Sequence, residues 1–372
     1  MKKTTKWILS IVALAVLAWL LTVLEEKKFE QGMLYSVMQK GAIFAIVAVS
    51  MNLLNGFTGL FSLGQAGFMA VGAYVTAILT IPVGKLDGVY YMNGISPLIK
   101  NLREFMNLAP SWVASCYPYL ALIIGGLVAA VFAALIGIPV LRLKSDYLAI
   151  ATLGFSEILR ALIASPQFDT VTNGSYGLKS IPKFNSILVV FVIAFVCIGL
   201  IVLLIKSSYG RAFKAIREDE IAAEAMGIGL FKHKEMSFVI SSFFTAVAGG
   251  MLAMYMRSID SSTFKIAMTY DILLIVVIGG IGSVTGSVLG AFLVTAAKEW
   301  WLRFFDEPLT IAGVSIPLFK NGFRMVVFSV LLMVVVLFYR KGLMGNREFS
   351  WEWFLPSRWR RNKKLEAGGV GK

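Results

Sequence analysis

Long apolar stretches separated by short polar segments dominate the pattern of this sequence. Many of the stretches reach about 18–20 residues, the length that a helix needs to cross a hydrocarbon core about 30 Å thick. The candidate segments are 7–24, 36–54, 60–81, 118–138, 147–164, 186–205, 236–256, 271–298 and 324–339. The pattern therefore predicts an all-α polytopic membrane protein with eight or nine membrane segments.

The composition supports this interpretation. Hydrophobic residues make up 58% of the chain and charged residues 15%, against about 45–50% and about 25% in soluble domains, which excludes a soluble enzyme. The net charge of +14 could indicate nucleic-acid binding. Lys and Arg also accumulate in cytoplasmic loops, however, so the charge indicates topology and no nucleic-acid partner. Two cysteines and one histidine provide neither a disulfide framework nor a His-rich metal site.

The distribution of Lys and Arg predicts the orientation of the segments. Residues 1–30 hold an apolar stretch that follows three lysines and lacks a small-residue cleavage site, which predicts an uncleaved anchor span. If the N-terminus is cytoplasmic, the loops 139–146 and 206–235 and the tail from Arg340 are cytoplasmic too. These regions hold 20 Lys and Arg, whereas the other loops hold 12 over a greater length. The bias predicts a multi-pass membrane protein with both termini cytoplasmic.

The segment 271–298 cannot cross the membrane as one helix in this arrangement. Residues 257–270 would lie outside and the tail inside, so the stretch 271–339 must cross an odd number of times. Five glycines between positions 279 and 290 would let the segment break at mid-depth and turn back. Irregular backbone at membrane depth is tolerated where protein or an aqueous cavity covers it. We therefore expect a Gly-broken or re-entrant segment that lines a path.

A weak internal repeat links this segment to an earlier one. Both are punctuated by glycines and end in Gly-Ala-aromatic, at Gly72-Ala73-Tyr74 and at Gly290-Ala291-Phe292. Paired interrupted segments in two halves of a chain indicate a transport pathway, although glycines also permit close helix packing. The predicted translocation path lies between the two breaks, at Ser62, Gln65, Gly67, Gly282 and Ser283.

Charged residues inside the predicted segments need partners, because each costs about 3 kcal/mol or more when it faces lipid. Glu157 and Arg160 share a helix face at i and i+3, which favours a structural ion pair over a substrate contact. Lys40, Asp271 and Lys298 lie near predicted ends and are expected to reach the interface. No ladder of acidic residues continues through other segments, which disfavours proton coupling.

The loop 206–235 is the longest charged loop between segments on the predicted cytoplasmic side. It predicts a short amphipathic helix over 216–227, with acidic residues 218–220 near its N-terminus and Gly227 at its C-terminal end. A small, alanine-rich face on such a helix is suited to docking in a groove of another protein. The alternative is a helix that lies on the membrane surface.

Within this loop, Ala222-Ala223, three further residues and Gly227 resemble the coupling motif, or EAA motif, of ATP-binding-cassette importer permeases. Ile221 occupies the position of the motif's glutamate, and Glu220 stands one place earlier. The string from Arg211 to Gly227 is similar to the LivM branch of the branched-chain amino acid permeases. The blocks that agree lie at 52–59, 72–74, 146–155, 173–174 and 279–290, so the resemblance spans roughly residues 41–340.

The resemblance implies a permease domain over 31–340, followed by a basic cytoplasmic tail at 341–372. It implies no catalytic residue and no cofactor on this chain, because ATP is bound by partner subunits, and the sequence has no phosphate loop of the G-x-x-x-x-G-K-[ST] type. The implied partners are a homologous second permease subunit, two cytoplasmic ABC ATPase subunits, an extracytoplasmic substrate-binding protein and membrane lipid. The implied ATPase-coupling residues are Glu220, Ala222, Ala223, Glu224 and Gly227.

The implied function is an importer subunit for branched-chain, hydrophobic amino acids. A permease for urea or another short amide stays open, because the family shares one scaffold. From a different class, an autonomous secondary transporter stays open as well. ATPase and binding-protein genes beside this gene would support the importer, whereas an isolated gene would support the secondary transporter.

Overall fold

The computed structural model is almost entirely helical over the part of the chain that it describes. The described residues are 3–27, 32–92, 94–107, 111–143 and 145–301, with short further pieces at 310–311, 314–315, 326–327, 329–330, 333, 342–345 and 348. Most of the predicted segment 324–339 and of the tail 341–372 therefore lies outside the described residues.

Fourteen α-helices follow one another in the described residues. They are α1 Lys3–Glu26, α2 Gly32–Asn52, α3 Gln65–Thr80, α4 Val83–Val89, α5 Pro97–Asn107, α6 Ser111–Val140, α7 Ser145–Ile163, α8 Asp169–Thr172, α9 Ile187–Lys206, α10 Ser208–Glu218, α11 Glu220–Ala225, α12 Leu230–Met256, α13 Ile266–Gly279 and α14 Val284–Glu299. A π-helical turn, Leu53–Phe57, extends α2. Two short antiparallel strands follow, β1 Thr310–Ile311 and β2 Val314–Ser315, with Thr310 opposite Ser315.

Several of these helices have the length and hydropathy of membrane spans. Among the described residues, four meet both criteria, namely Gly32–Phe57, Cys116–Val140, Ile187–Lys206 and Leu230–Met256. A fifth span results if Tyr147–Ile163 and Pro166–Thr172, which are bent by 57°, are taken together. Two shorter apolar helices, Gln65–Thr80 and Ile266–Gly279, belong to the Gly-broken segments. The prediction of an all-α polytopic fold is confirmed.

Helices α2 and α12 form the buried centre of the bundle. The most apolar windows of these two helices are 83% and 78% buried, against 28% for α9. A Cβ atom added at Gly72 of α3 would overlap the carbonyl group of Ala246, and one added at Gly249 of α12 would overlap the backbone of Met69. Helices α3 and α12 thus pack at backbone contact, which small residues allow. Close packing explains this part of the glycine pattern.

The helix of the first Gly-rich segment begins later in the chain than the sequence predicts. A helix was expected over 60–81, but residues 58–64 are not helical and α3 begins at Gln65. Gly59 has φ +78°, a conformation that favours glycine. The backbone of the break binds neighbouring side chains, because the amide of Leu63 donates to Thr152 Oγ1 at 3.0 Å. The expected start of this helix is therefore wrong by five residues.

The second Gly-rich segment is broken, as predicted, and forms a helical hairpin; that it re-enters the membrane stays a prediction. Helices α13 and α14 are joined by a turn at 280–283, in which Gly280 and Gly282 have φ +117° and +89°. The two helices run antiparallel, since Lys298 near the end of α14 bonds Asp271 near the start of α13 at 2.5 Å. Helix α13 has 14 residues and is about 21 Å long, shorter than a hydrocarbon core.

Cysteine labelling tests this hairpin. Ala267 and Trp300 are exposed at the two open ends of the hairpin, and Glu224 is exposed in the loop 206–235. In sealed vesicles and without the two native cysteines, we expect an impermeant thiol reagent to reach Ala267→Cys and Trp300→Cys from the same side. Glu224→Cys should react from the other side. Reaction of positions 267 and 300 from opposite sides would show a single continuous span.

Among the described residues, three ion pairs lie within or beside the membrane segments. Arg160 and Glu157 form the predicted ion pair at 2.7 Å. Lys40, Asp271 and Lys298 were expected to reach the interface, which stays a prediction; Lys40 pairs with Glu299 and Lys298 pairs with Asp271, and all four side chains are 22–37% exposed. The partners lie on different helices, and each pair lowers the cost of placing charge near the membrane.

Candidate coupling and translocation site

The loop 206–235 contains two short helices where the sequence predicted one. The single helix expected over 216–227 is wrong, because α10 ends at Glu218 and α11 begins at Glu220. Asp219 between them is extended, and its Oδ1 accepts hydrogen bonds from the amides two and three residues later at 2.9 and 3.0 Å. The acidic run thus supplies an N-cap, which competes with a continuous helix.

The C-terminal end of α11 has the form that the sequence predicted. Gly227 has φ +84° and follows the last turn of the helix. The amide of Ile228 donates to the carbonyl of Ala223 at 3.1 Å, and the amide of Gly227 donates to Glu224 at 2.9 Å. These two bonds form a Schellman motif, for which glycine is the preferred residue. Helix α11 is therefore fixed at both ends, although it is short.

The predicted coupling residues on α11 fall into two groups. Ala222 and Glu224 are exposed, as a docking surface requires. Ala223 is buried against its own chain, with 4% exposure, and the carboxylate of Glu220 pairs with Lys234 of α12 at 2.6 Å. Ala223 and Glu220 thus hold α11 in place, although the Glu220 side chain is still 51% exposed.

Two large apolar side chains flank this surface, and the sequence prediction did not include them. Ile221 is 82% exposed and Met226 is 83% exposed. Ile221 stands where the coupling motif has glutamate, so the motif predicts no role for an apolar side chain at this position. Apolar side chains of this size in a charged loop are typical of an interface with a partner protein.

Helix α10 connects this loop to the break after α2. Arg217 Nη1 donates a hydrogen bond of 2.7 Å to the carbonyl oxygen of Gly56. The ammonium of Lys214 lies 5.5 Å from the centroid of the Phe57 ring, a cation–π contact. A Cβ atom at Gly59 would lie 2.9 Å from Arg217 Cγ, so glycine permits this approach. Helix α10 thus contacts the π-helical turn directly.

Asn52, at the end of α2, joins the two broken segments. It is fully buried, and its Nδ2 donates to Ser287 Oγ at 2.7 Å and to the carbonyl of Ser283 at 2.9 Å. Its Oδ1 accepts a hydrogen bond from the amide of Gly282 at 2.8 Å. These partners are more than 225 residues away in sequence, and no local pattern identifies them. A series of contacts thus leads from Arg217 through the π-helical turn to the turn at 280–283.

Described pieces of the C-terminal region contact the same hairpin turn. The carboxylate of Glu348 accepts hydrogen bonds from the amides of Val284 and Thr285 at 2.7 and 3.1 Å, at the N-terminus of α14. The amide of Leu343 donates to the carbonyl of Ile278 at 2.7 Å. The described pieces of the C-terminal region thus pack against the turn 280–283 and the start of α14.

The predicted path residues are buried inside the chain and contact different neighbours. Ser62, Gln65 and Ser283 are at most 1% exposed. Gln65 Oε1 accepts a hydrogen bond of 2.6 Å from Thr245 of α12, whereas Ser283 caps α14. Gly282 meets Asn52, and Gly67 faces α7. The structure brings Gly282 and Ser283 together, holds Gln65 against α12 and Gly67 against α7, and leaves Ser62 in the break, where its amide donates to Asn55 Oδ1 at 3.2 Å.

Substitution of Gly67 distinguishes packing from passage. A Cβ atom at Gly67 would lie 2.7 Å from Ser156 Cα of α7, so we expect Gly67→Leu to separate α3 from α7 and to lower the yield of monodisperse protein in size-exclusion chromatography. Gly154→Leu on α7 is the control, because a Cβ atom there has open space. A monodisperse Gly67→Leu protein that fails in uptake would instead place Gly67 beside the path.

Substitution of Asn52 tests the junction between the broken segments. Asn52→Ala leaves the buried amide of Gly282 without its acceptor, and we expect a loss of about 2–4 kcal/mol in the free energy of unfolding. Ser50→Ala is the control, because the buried Ser50 hydroxyl bonds only the carbonyl of Ile46 in its own helix. Unfolding in detergent measures both variants. Equal losses for the two would contradict the role of Asn52.

Comparisons with known proteins agree with this architecture. A family model described as "Branched-chain amino acid transport system / permease component" matches residues 33–338. The high-affinity branched-chain amino acid transport system permease protein LivM of Escherichia coli is 30% identical over an alignment of 305 positions that covers 73% of this chain. This chain spans 64% of the length of that relative.

Two further relatives are covered almost completely. The probable branched-chain amino acid transport permease protein LivM of Methanocaldococcus jannaschii is 25% identical over 82% of this chain and 91% of its own length. The permease protein LivH of Salmonella typhimurium is 23% identical over 83% of this chain and 93% of its own length. No solved structure matches this chain significantly. The family model covers most of the sequence, and this multi-pass membrane protein therefore belongs to the branched-chain amino acid permease family, in its LivM-type branch.

Proposed function

We propose that this chain is a permease subunit of an ABC importer for branched-chain amino acids and that α11 is the docking element for the ATPase subunits. The observation that carries the proposal is the exposure of Ile221 and Met226 on a helix whose two ends are fixed. A preorganised helix loses little conformational entropy on binding, so its exposed apolar side chains provide affinity efficiently. A groove on each cytoplasmic ATPase would receive them.

The contacts behind α11 support a mechanical role for this helix. ATP would be bound and hydrolysed on the partner subunits, and this chain would receive the resulting movement. Glu220 holds α11 to α12 through Lys234, while Arg217 holds α10 to Gly56. Rigid segments joined by such bonds move together, so displacement of the loop would reach the hairpin turn at 280–283.

The proposed assembly contains further subunits. Relatives named LivM and LivH both align with most of this chain, which supports a homologous second permease subunit that completes the path. An extracytoplasmic binding protein would deliver the solute at the membrane face opposite the loop 206–235. In this arrangement both termini are cytoplasmic and the assembly lies in the bacterial plasma membrane.

Uptake by the reconstituted complex tests the proposal. Proteoliposomes that contain both permease subunits, the ATPases and the binding protein should accumulate radiolabelled leucine when ATP is enclosed with the ATPases, and a protonophore should not prevent it. Urea under the same conditions should not accumulate. Leucine uptake that needs a proton gradient and no ATP would show a secondary transporter, and uptake of urea alone would show an amide permease.

A further inference from the structure

A cavity of about 290 Å³ lies between α2, α12, α13 and α14 at the open end of the helical hairpin. Its volume is close to the lower end of the range for small-molecule pockets, about 300–1,000 Å³. Lys40 of α2 lies on the wall of the cavity and precedes Gly56 of the π-helical turn by 16 residues. This separation corresponds to about 24 Å along a helix. The cavity is therefore at the opposite end of the molecule from the coupling loop.

Positively and negatively charged side chains line the cavity. Lys40 pairs with Glu299 and Lys298 pairs with Asp271, each at 2.5 Å, and Lys265 adds a third cation. The four paired side chains are 22–37% exposed. A solute can therefore reach these groups without unfolding any helix.

The deeper wall of the cavity is apolar. Phe44, Leu252, Ile275 and Val294 line it and are buried within the chain. They come from four different helices, two of which form the helical hairpin. An apolar wall below two ion pairs and the additional cation of Lys265 is complementary to a molecule with one charged end of each sign and an apolar branch.

We propose that this cavity receives the solute and that its ligand is a zwitterionic amino acid with an apolar side chain. The proposal rests on the function proposed above and names the place where the solute enters this subunit. The α-carboxylate binds Lys265 and Lys298, the α-ammonium binds Asp271, and the side chain lies against Phe44 and Ile275. Both charged groups of the solute exchange water for charged partners, which offsets the cost of removing them from water.

The pairing of Asp271 with Lys298 has a second consequence. These residues join the two helices of the hairpin, so a zwitterion that bonds them in part replaces their contact with each other. Occupation of the cavity therefore loosens the open end of the hairpin whose other end receives movement from Arg217. A neutral amide such as urea has neither charge and lacks the apolar branch, so it leaves this pair intact.

A bulky substitution at the mouth of the cavity tests the proposal. Ala267 is exposed and lines the cavity, so tryptophan there fills the mouth without disturbing the buried wall. In the reconstituted complex, we expect Ala267→Trp to lower leucine uptake about tenfold or more, equivalent to about 1.4 kcal/mol, because the indole occupies the volume through which the solute enters. Leu293→Trp is the control, because Leu293 is exposed on α14 away from the cavity. It should keep uptake and ATP hydrolysis at the wild-type level.

Reversal of the ion pair separates ligand binding from helix packing. In the double variant Asp271→Lys with Lys298→Asp, the two helices can still pair, but the charges that face the solute are exchanged. We expect the complex to assemble and to hydrolyse ATP. Leucine uptake should remain about tenfold or more below the wild-type level, because the solute loses a charge-assisted hydrogen bond. Asp271→Asn alone should show the same loss.

The outcomes distinguish this proposal from the one on which it rests. Wild-type uptake by Ala267→Trp, or restored uptake by the reversed pair, would overturn the cavity as a solute site and leave the importer function in place, with lipid as the occupant. Absence of ATP-driven leucine uptake in the unmodified complex would overturn the proposed function itself.

Discussion

Replacement of both Ile221 and Met226 by aspartate is expected to release the ATPase subunits and to lower ATP-driven uptake about a hundredfold or more. Each residue is more than 80% exposed in this chain, so neither supports its own fold. In the proposed interface, both side chains become buried. Truncation of such anchors costs about 2 kcal/mol or more each, and a carboxylate buried in an apolar groove adds a desolvation cost. Pull-down of the ATPase and uptake in proteoliposomes measure the effect.

The matched control keeps the apolar character of the surface. Ile221→Val with Met226→Leu preserves most of the volume and should retain both binding and uptake. The membrane content of the aspartate variant should equal that of the unmodified chain, because Asp219 and Gly227 still fix the ends of α11. Normal ATPase binding by the aspartate variant would contradict the assignment of α11 as the docking element.

Arg217→Met is expected to separate ATP hydrolysis from transport. The substitution retains the length of the side chain but removes the hydrogen bond to the carbonyl of Gly56, and a bond from a charged donor contributes about 1.5–3 kcal/mol. The ATPases should remain bound because α11 is unchanged. Uptake should fall about tenfold or more while hydrolysis continues, so the number of ATP molecules hydrolysed per leucine rises.

Arg211→Met is the control for this uncoupling. Arg211 is exposed on the same helix, and its described side-chain contact is the Ser208 hydroxyl at 3.3 Å. The same change in charge and shape at that position should leave the ratio of hydrolysis to uptake unaltered. A parallel loss of hydrolysis and uptake in Arg217→Met would show that Arg217 supports ATPase binding instead of transmission.

The features that sequence predicts well here are those with local causes. The break at 280–283 follows from glycines that adopt positive φ, and Gly227 ends α11 for the same reason. The ion pair of Glu157 and Arg160 follows from their spacing on one helix. In each case the residues that produce the feature are neighbours in the sequence.

Most of the features that sequence reasoning missed depend on distant partners. Asn52 was part of a recognised block, but its bonds to 280–287 exist because two segments meet in the fold. Lys40 and Glu299 pair across 259 positions. The split at Asp219 has a local cause, since a capping side chain stood inside the stretch that was expected to be helical. The preference of aspartate for the N-cap position is sufficient to predict a helix boundary at Asp219.

A probe on the hairpin turn tests the central claim most directly, namely that movement of the coupling loop reaches 280–283 through Arg217. Ile281 is 44% exposed on that turn, so a fluorophore on Ile281→Cys in the complete complex reports its surroundings. Addition of ATP should change the fluorescence when Arg217 is present and should leave it unchanged in Arg217→Met with ATPases still bound. An equal ATP-dependent change in both complexes would contradict transmission through this contact.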